Sequence, residues 1–155
     1  MTTISAPRGT ARTIALATAV AGTLDILSAC VYALAAGGTP VGMLRGLSGA
    51  ILGSAKTNPA APLIGLALHF AIMAVMVAVY AVAARRISLL VIRPIASGIA
   101  YGLVTWAVMN LIVLPLRWPA LFPHFTTLGL CEQLFSHIVL VGAPIALIVS
   151  RRTAA

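Results

Sequence analysis

The chain has 155 residues, of which 61% are hydrophobic and 8% are charged, and its mean hydropathy is +1.11. These values lie outside the range of water-soluble domains and are typical of proteins that cross a membrane several times. The net charge of +8 would suggest nucleic acid as a partner of a soluble protein, but here the basic residues stand at the ends of apolar runs. The composition therefore argues against a soluble enzyme or a nucleic-acid-binding module, and it predicts one membrane domain over residues 1–155.

Four apolar stretches are long enough to cross a bilayer, whose hydrocarbon core needs roughly 20 helical residues. They predict an all-α, integral membrane four-helix bundle with spans over residues 13–36, 61–83, 91–116 and 127–150. In the first stretch, the residues up to Cys30 resemble a lipoprotein signal. Asp25 would interrupt the apolar core of such a signal, and the apolar run continues beyond Cys30. We therefore expect an uncleaved span.

The connection between the first two spans is too apolar for a solvated loop. Apolar residues recur at helical spacing after Pro40, which predicts a short interfacial or re-entrant helix over about residues 40–54. Arg45 and Lys56 flank apolar residues and can extend their charges to the lipid headgroups. Two interpretations stay open: the segment is a lid with a packing role only, or it is a gate over a substrate site.

Two further features concern the helices themselves. Gly98 and Gly102 form a GxxxG pair, which predicts close backbone contact between the third span and a neighbouring helix. Pro144 lies within the fourth span and removes one helical hydrogen bond, so we expect that helix to bend. The loop from Arg117 to Phe125 is rich in aromatic residues and proline, which is typical of a membrane interface.

The basic residues predict the orientation of the bundle. With four spans, seven of them share one side, namely Arg8, Arg12, Arg85, Arg86, Arg93, Arg151 and Arg152, whereas Arg45, Lys56 and Arg117 lie on the other. Because the side with more Lys and Arg is normally cytoplasmic, both termini are expected to face the cytoplasm.

The acidic, histidine and carboxamide residues inside the predicted spans all fall in the outer half of the bundle. By helical rise they lie roughly 8–16 Å below the outer helix ends, and they comprise Asp25, His69, Asn110, Glu132, Gln133 and His137. Gln133 and His137 are four residues apart and share a helix face, whereas Glu132 shares a face with Ser136. Since ionisable groups at membrane depth are costly, we expect these side chains to face protein or a cavity.

Three interpretations of this polar cluster stay open. Asp25, His69, Asn110 and His137 can satisfy one another by hydrogen bonds between helices and fix the packing. They can instead form a proton or small-solute site, since carboxylates and imidazoles are the usual groups of such sites. Thirdly, His69 and His137 can ligate a haem or a metal ion. No motif places a serine beside a base, and Cys30 and Cys131 form no CxxC motif, so neither an enzyme nor a resident cofactor is favoured.

Several short motifs resemble those of a group of small, uncharacterised four-span bacterial inner-membrane proteins. They are Gly22-Thr23-Leu24-Asp25, the segments 44–53 and 65–70, Gly102, Met109-Asn110, Leu114-Pro115 and His137. The resemblance implies a four-span architecture and a location in the bacterial inner membrane. It supplies no reaction, substrate or cofactor.

We therefore predict a small membrane protein that binds or conducts a small solute or protons at the polar cluster. Asp25 and His69 are the first candidates, followed by Asn110 and His137, with Gln133 and Glu132 nearby and Arg45 as a contact for an anionic group. The alternatives are a haem- or metal-binding redox protein and a non-catalytic accessory subunit of a larger membrane complex. The expected partners are the lipid bilayer, further copies of the chain in a homo-oligomer, and a small-molecule ligand.

Overall fold

The computed structural model describes residues 8–53 and 58–153, and this part of the chain is helical with no strand. Four helices are long and apolar enough to cross a membrane, namely Gly9–Ala35, Ala61–Ala84, Pro94–Arg117 and Thr127–Arg152. The predicted all-α class and the four membrane-crossing helices are therefore confirmed. Lys56, which we expected near the lipid headgroups, lies outside the described residues.

Successive long helices run in opposite directions between the two ends of the bundle. In order the elements are α1 (Arg8–Ala35), α2 (Pro40–Leu52), α3 (Ala61–Ala84), α4 (Leu89–Ile92), α5 (Pro94–Val108), a π-helical segment π1 (Met109–Val113), α6 (Leu114–Arg117), α7 (Thr127–Phe135), a second π-helical segment π2 (Ser136–Gly142) and α8 (Ala143–Thr153). The third long helix comprises α5, π1 and α6, and the fourth comprises α7, π2 and α8.

Two helix boundaries differ from those expected from the sequence. The third long helix begins at Pro94 and not near Val91, because the residue before a proline avoids helical dihedral angles. Arg93 accordingly has φ −121° and ψ 64°, and α4 is a separate turn. At the other boundary, α1 already includes Arg8 and Arg12, so part of the predicted polar leader is helical.

The predicted short helix between the first two spans is present as α2. The Thr39 hydroxyl accepts a hydrogen bond from the Gly42 N–H at 3.0 Å and Pro40 occupies the first turn, a combination that starts helices. The helix ends at Gly53, whose φ of 64° favours glycine. α2 packs directly on α3, since a Cβ atom on Gly65 would collide with the backbone carbonyl of Leu44.

Glycines also bring the third and fourth long helices into backbone contact. A Cβ atom on Gly98 would lie 2.9 Å from the Gly142 carbonyl oxygen, and one on Gly102 would meet the His137 carbonyl oxygen. Gly142 in turn faces the backbone of Gly98 and Gly102. This confirms the contact predicted from the GxxxG pair, because only residues without a side chain allow helix backbones to approach so closely.

The half of the bundle opposite α2 is tightly packed. We call this half the arginine-rich end, because α1 starts there with Arg12, α3 ends there before Arg85 and Arg86, and α8 ends there with Arg151 and Arg152. Its interior is a packed core in which each of five large side chains is at most 2% exposed: Val77, Tyr80, Val141, Ile145 and Val149. The Tyr80 hydroxyl donates to the Leu90 carbonyl at 3.0 Å, so its polar group is satisfied inside this core.

The two π-helical segments were not predicted from the sequence. The N–H of Leu114 donates to the carbonyl of Met109, and that of Ala143 donates to the carbonyl of Ile138, so each bond spans five residues instead of four. Each segment ends two residues before a proline, Pro115 or Pro144, whose missing N–H weakens the normal helical pattern locally. The distortion expected at Pro144 therefore takes the form of a wide helical turn before it.

Candidate functional site

A cavity of about 240 Å³ lies between the long helices at the end of the bundle covered by α2. Most of its wall is apolar, with Leu47, Ile72, Met76 and Met109 among the contributors. Six polar or charged side chains interrupt this wall, namely Asp25, His69, Asn110, Arg117, Gln133 and His137. Because a cavity of about 150 Å³ holds a benzene molecule, this one has room for roughly ten non-hydrogen atoms.

His69 is fixed by a bond to the neighbouring helix. Its Nε2 atom lies 2.9 Å from the Gly22 carbonyl oxygen on α1, and the residue is 8% exposed. Since a carbonyl oxygen only accepts hydrogen bonds, Nε2 must carry the hydrogen. The neutral ring then has an acceptor at Nδ1, which lies 3.9 Å from the Asp25 carboxylate, beyond hydrogen-bonding distance.

His137 and Asn110 are held by bonds within their own helices. The His137 Nδ1 atom lies 2.9 Å from the Gln133 carbonyl oxygen, so it carries the hydrogen, and Nε2 becomes the acceptor of the neutral ring. The Asn110 amide nitrogen donates to the Trp106 carbonyl at 3.1 Å, which leaves its side-chain oxygen for other partners. Both side chains therefore present an acceptor while they line the cavity.

Asp25 is the acidic residue in the cavity lining. Its carboxyl group accepts no hydrogen bond from the part of the chain that the structure describes, and its Oδ2 atom lies 3.9 Å from Nδ1 of His69. A carboxylate removed from water without hydrogen bonds is costly. No hydrogen bond joins Asp25, His69, Asn110 and His137 to one another in the described part of the chain, and all four side chains line the same cavity.

A second polar group joins α1 to π2, and its residues were not among the candidates from the sequence. The hydroxyls of Ser28 on α1 and Ser136 on π2 are 3.0 Å apart, and the Ser136 hydroxyl lies 3.5 Å from that of Tyr32. Ser28 and Tyr32 follow Asp25 on one face of α1, and that spacing was the available signal. These hydroxyls and the bond from His69 to Gly22 join helices, the role that one of the three interpretations gave to Asp25, His69, Asn110 and His137.

Two of the candidate residues lie outside the cavity. Glu132 is half-buried on α7 and Arg45 is half-buried on α2, and neither belongs to the cavity lining. The cation in the lining is Arg117, which donates from Nη2 to the Gly49 carbonyl at 2.6 Å and from Nε to the Ala50 carbonyl at 2.9 Å. It thereby caps the carboxyl end of α2, where the Gly49 carbonyl also accepts the N–H of Gly53.

The geometry gives little support to haem or metal binding. Within residues 8–53 and 58–153, no group of three or more His, Cys, Asp or Glu side chains is close enough to hold a metal ion. The cavity has room for roughly ten non-hydrogen atoms, far fewer than a porphyrin contains. Cys30 and Cys131 are free thiols, and Cys131 is exposed.

Comparisons with known proteins were made at three levels. Neither protein-family models, nor curated proteins, nor solved structures gave a match to this chain. The geometry of the cavity and the apolar helices that surround it are therefore the observations on which a function can be based.

Proposed function

We propose that this small polytopic membrane protein binds a small, largely apolar molecule that carries a hydrogen-bond-donating amine. The observation that carries the proposal is the set of acceptors around one cavity: the Asp25 carboxylate, Nδ1 of His69, Nε2 of His137 and the side-chain oxygen of Asn110. A protonated amine donates hydrogen bonds and compensates the negative charge, and the apolar wall suits a hydrocarbon body.

The packed core supports binding over conduction. The cavity reaches Met76 and Val141, and beyond them Val77, Tyr80 and Ile145 are at most 1% exposed. Protein interiors packed in this way contain few voids larger than a water molecule. We therefore favour a binding site that is closed on the side of the packed core over a path through the bundle.

The proposed orientation agrees with this role. We infer that the arginine-rich end faces the cytoplasm, since the described residues there include Arg12, Arg85, Arg86, Arg151 and Arg152. In a bacterial inner membrane the cavity would then lie in the outer half, beneath α2. A ligand would reach it from the periplasm or from the outer leaflet.

The fluorescence of Trp118 provides a direct test, because this residue lines the cavity and the chain has only two tryptophans. In a Trp106→Phe background, purified protein in nanodiscs is titrated with cyclohexylmethylamine and with ethylcyclohexane, in which a methyl group replaces the amine. We expect saturable binding of the amine. The hydrocarbon should bind at least tenfold more weakly, because a charge-assisted hydrogen bond contributes roughly 1.5–3 kcal/mol.

The two acidic residues of the chain supply a matched pair of variants. Asp25→Asn removes the carboxylate from the cavity and should weaken amine binding at least tenfold, whereas Glu132→Gln removes a carboxylate outside it and should leave the affinity unchanged. Equal affinities of the Asp25→Asn variant and the unsubstituted protein would overturn the proposal. So would an equal loss in both variants.

A further inference from the structure

A second cavity, of about 260 Å³, opens at the arginine-rich end, on the far side of the packed core from the first. It lies between the start of α1 and the ends of α3 and α8. Thr13, Ala81 and Val149 form its buried floor, and the exposed Arg85 and Arg152 stand at its rim. Two arginines that are distant in sequence thus share one concave site, although the sequence suggested for them only a role in orientation.

Among the described residues that line this cavity, the charged side chains are both positive. The chain has two acidic side chains, and neither lines it: Asp25 belongs to the other cavity and Glu132 to α7. The lining also includes Thr10, whose hydroxyl can donate a hydrogen bond. Two planar guanidinium groups and a hydroxyl are donors that match the oxygens of a phosphate group.

We propose that Arg85 and Arg152 bind a phosphate group in this cavity. Basic cavities between membrane helices recognise the headgroups of anionic lipids, and a free phosphate offers the same oxygens. The buried floor of alanine and valine next to the arginines also provides apolar contact for the part of a lipid that follows its headgroup. This site is separate from the first cavity, which we proposed to bind an amine and which we call the amine cavity. The two proposals can therefore fail independently.

Neighbouring arginines allow a matched comparison. Arg85→Gln with Arg152→Gln removes both cations from the cavity. Arg86→Gln with Arg151→Gln removes the same amount of charge from two exposed residues that are adjacent in sequence to Arg85 and Arg152 but do not line the cavity. Delipidated full-length protein is examined by native mass spectrometry with phosphatidylglycerol or phosphatidylcholine, and with inorganic phosphate as a competitor.

We expect the unsubstituted protein and the Arg86/Arg151 variant to prefer phosphatidylglycerol at least tenfold, and the Arg85/Arg152 variant to lose this preference. If inorganic phosphate displaces the lipid or binds alone, the site recognises phosphate in general; if it does neither, the site recognises a lipid headgroup. Both results support the proposal. Equal losses in the two double variants, or no binding of either anion by the unsubstituted protein, would overturn it.

Circular dichroism establishes that each variant is folded. If the glutamine variant is not folded, Arg85→Lys with Arg152→Lys replaces it, since this variant keeps the charge and loses the two-pronged hydrogen bonding. We expect it to bind phosphatidylglycerol at least threefold more weakly than the unsubstituted protein. An unchanged affinity would overturn the assignment to these two residues.

Discussion

The polar residues inside the bundle divide into two groups according to the atoms that they contact. His69, Ser28 and Ser136 make hydrogen bonds between helices. In the described part of the chain, His137 and Asn110 bond to carbonyls of their own helices, and both side chains line the cavity. A hydrogen bond between helices fixes their packing, whereas an acceptor directed into a cavity is available to a ligand.

The two histidines should therefore respond differently to truncation. His69→Ala removes a bond between α1 and α3 and should lower the free energy of unfolding by about 1–2 kcal/mol, the scale of such bonds in membranes. His137→Ala should change stability by less than half of that amount, because its lost bond lies within one helix, yet it should weaken binding of cyclohexylmethylamine. Unfolding in a mixed detergent titration measures the first effect and Trp118 fluorescence the second.

The prediction fails in either of two ways. Equal destabilisation by the two substitutions would mean that the bond to Gly22 does not distinguish them. A stable His137→Ala variant with unchanged amine affinity would remove His137 from the binding site while leaving its structural description intact.

At the scale of elements, two contacts hold α2 against the bundle, one with α3 and one with Arg117. Gly65 lets the α2 backbone rest on α3 at Leu44, and Ser48 is fully buried in this contact. At the carboxyl end, Arg117 binds the carbonyls of Gly49 and Ala50. Since Leu47 and Ala50 also line the cavity, the position of α2 determines how the cavity opens.

Displacing α2 from α3 should open the cavity. Gly65→Ala places a methyl group against the Leu44 carbonyl, and such overpacking typically costs about 1–3 kcal/mol. In a background with Cys30 and Cys131 replaced by alanine, a cysteine introduced at Leu47 should react faster with a water-soluble maleimide when Gly65→Ala is present.

Gly46→Ala is the matched control for this experiment. Gly46 lies on α2 with nothing within 4 Å of an added Cβ atom, so the substitution should leave the labelling rate unchanged and slightly favour the helix. Equal labelling rates with Gly65→Ala and Gly46→Ala would show that the contact at Gly65 does not hold α2 in place.

The π-helical segments link helix geometry to the site. Asn110 lies in π1 and His137 lies in π2, so both wide turns contribute a polar side chain to the same cavity. Wide turns within helices are frequent at functional sites, because the extra residue changes the direction of the side chains around it. The prolines that follow them thus affect the site without contacting a ligand.

At the scale of the whole molecule, the two ends of the bundle differ in charge and in packing. One end has the cavity with Asp25 beneath α2, and the other has the packed core and most of the described arginines. An even number of spans returns the chain to the side on which it started. The distribution of basic residues then predicts which side that is.

Reporter fusions test this orientation. Green fluorescent protein fused to the carboxyl terminus should fluoresce in bacteria, because it matures in the cytoplasm, and alkaline phosphatase at the same position should be inactive. Alkaline phosphatase inserted after Gly53, in the connection between α2 and α3, should be active. The reverse pattern would contradict the inferred orientation and would move the amine cavity to the cytoplasmic half.

The amino-acid sequence by itself determined the all-α class, the four apolar helices, the short helix after Pro40 and the contact at Gly98 and Gly102. These features depend on properties that are local in the chain. The length of an apolar stretch shows whether a helix can cross a membrane. Proline and glycine mark where helices start and end. Small residues four positions apart indicate a close contact between helices. Asp25, His69, Asn110, Gln133 and His137, which the sequence grouped by their depth in the bundle, all line one cavity, and their role in binding stays a prediction.

Only the tertiary structure decided which polar side chains bond to a neighbouring helix and which line a cavity. Depth along a helix follows from counting residues, but the direction of a side chain depends on helix rotation, and the two π-helical turns changed that rotation at Asn110 and His137. Glu132 and Arg45, which we also named as candidates, do not line this cavity, and Arg117, which we did not name as a candidate, does. Its partners, Gly49 and Ala50, are far away in the sequence and become neighbours only when α2 folds back over the bundle.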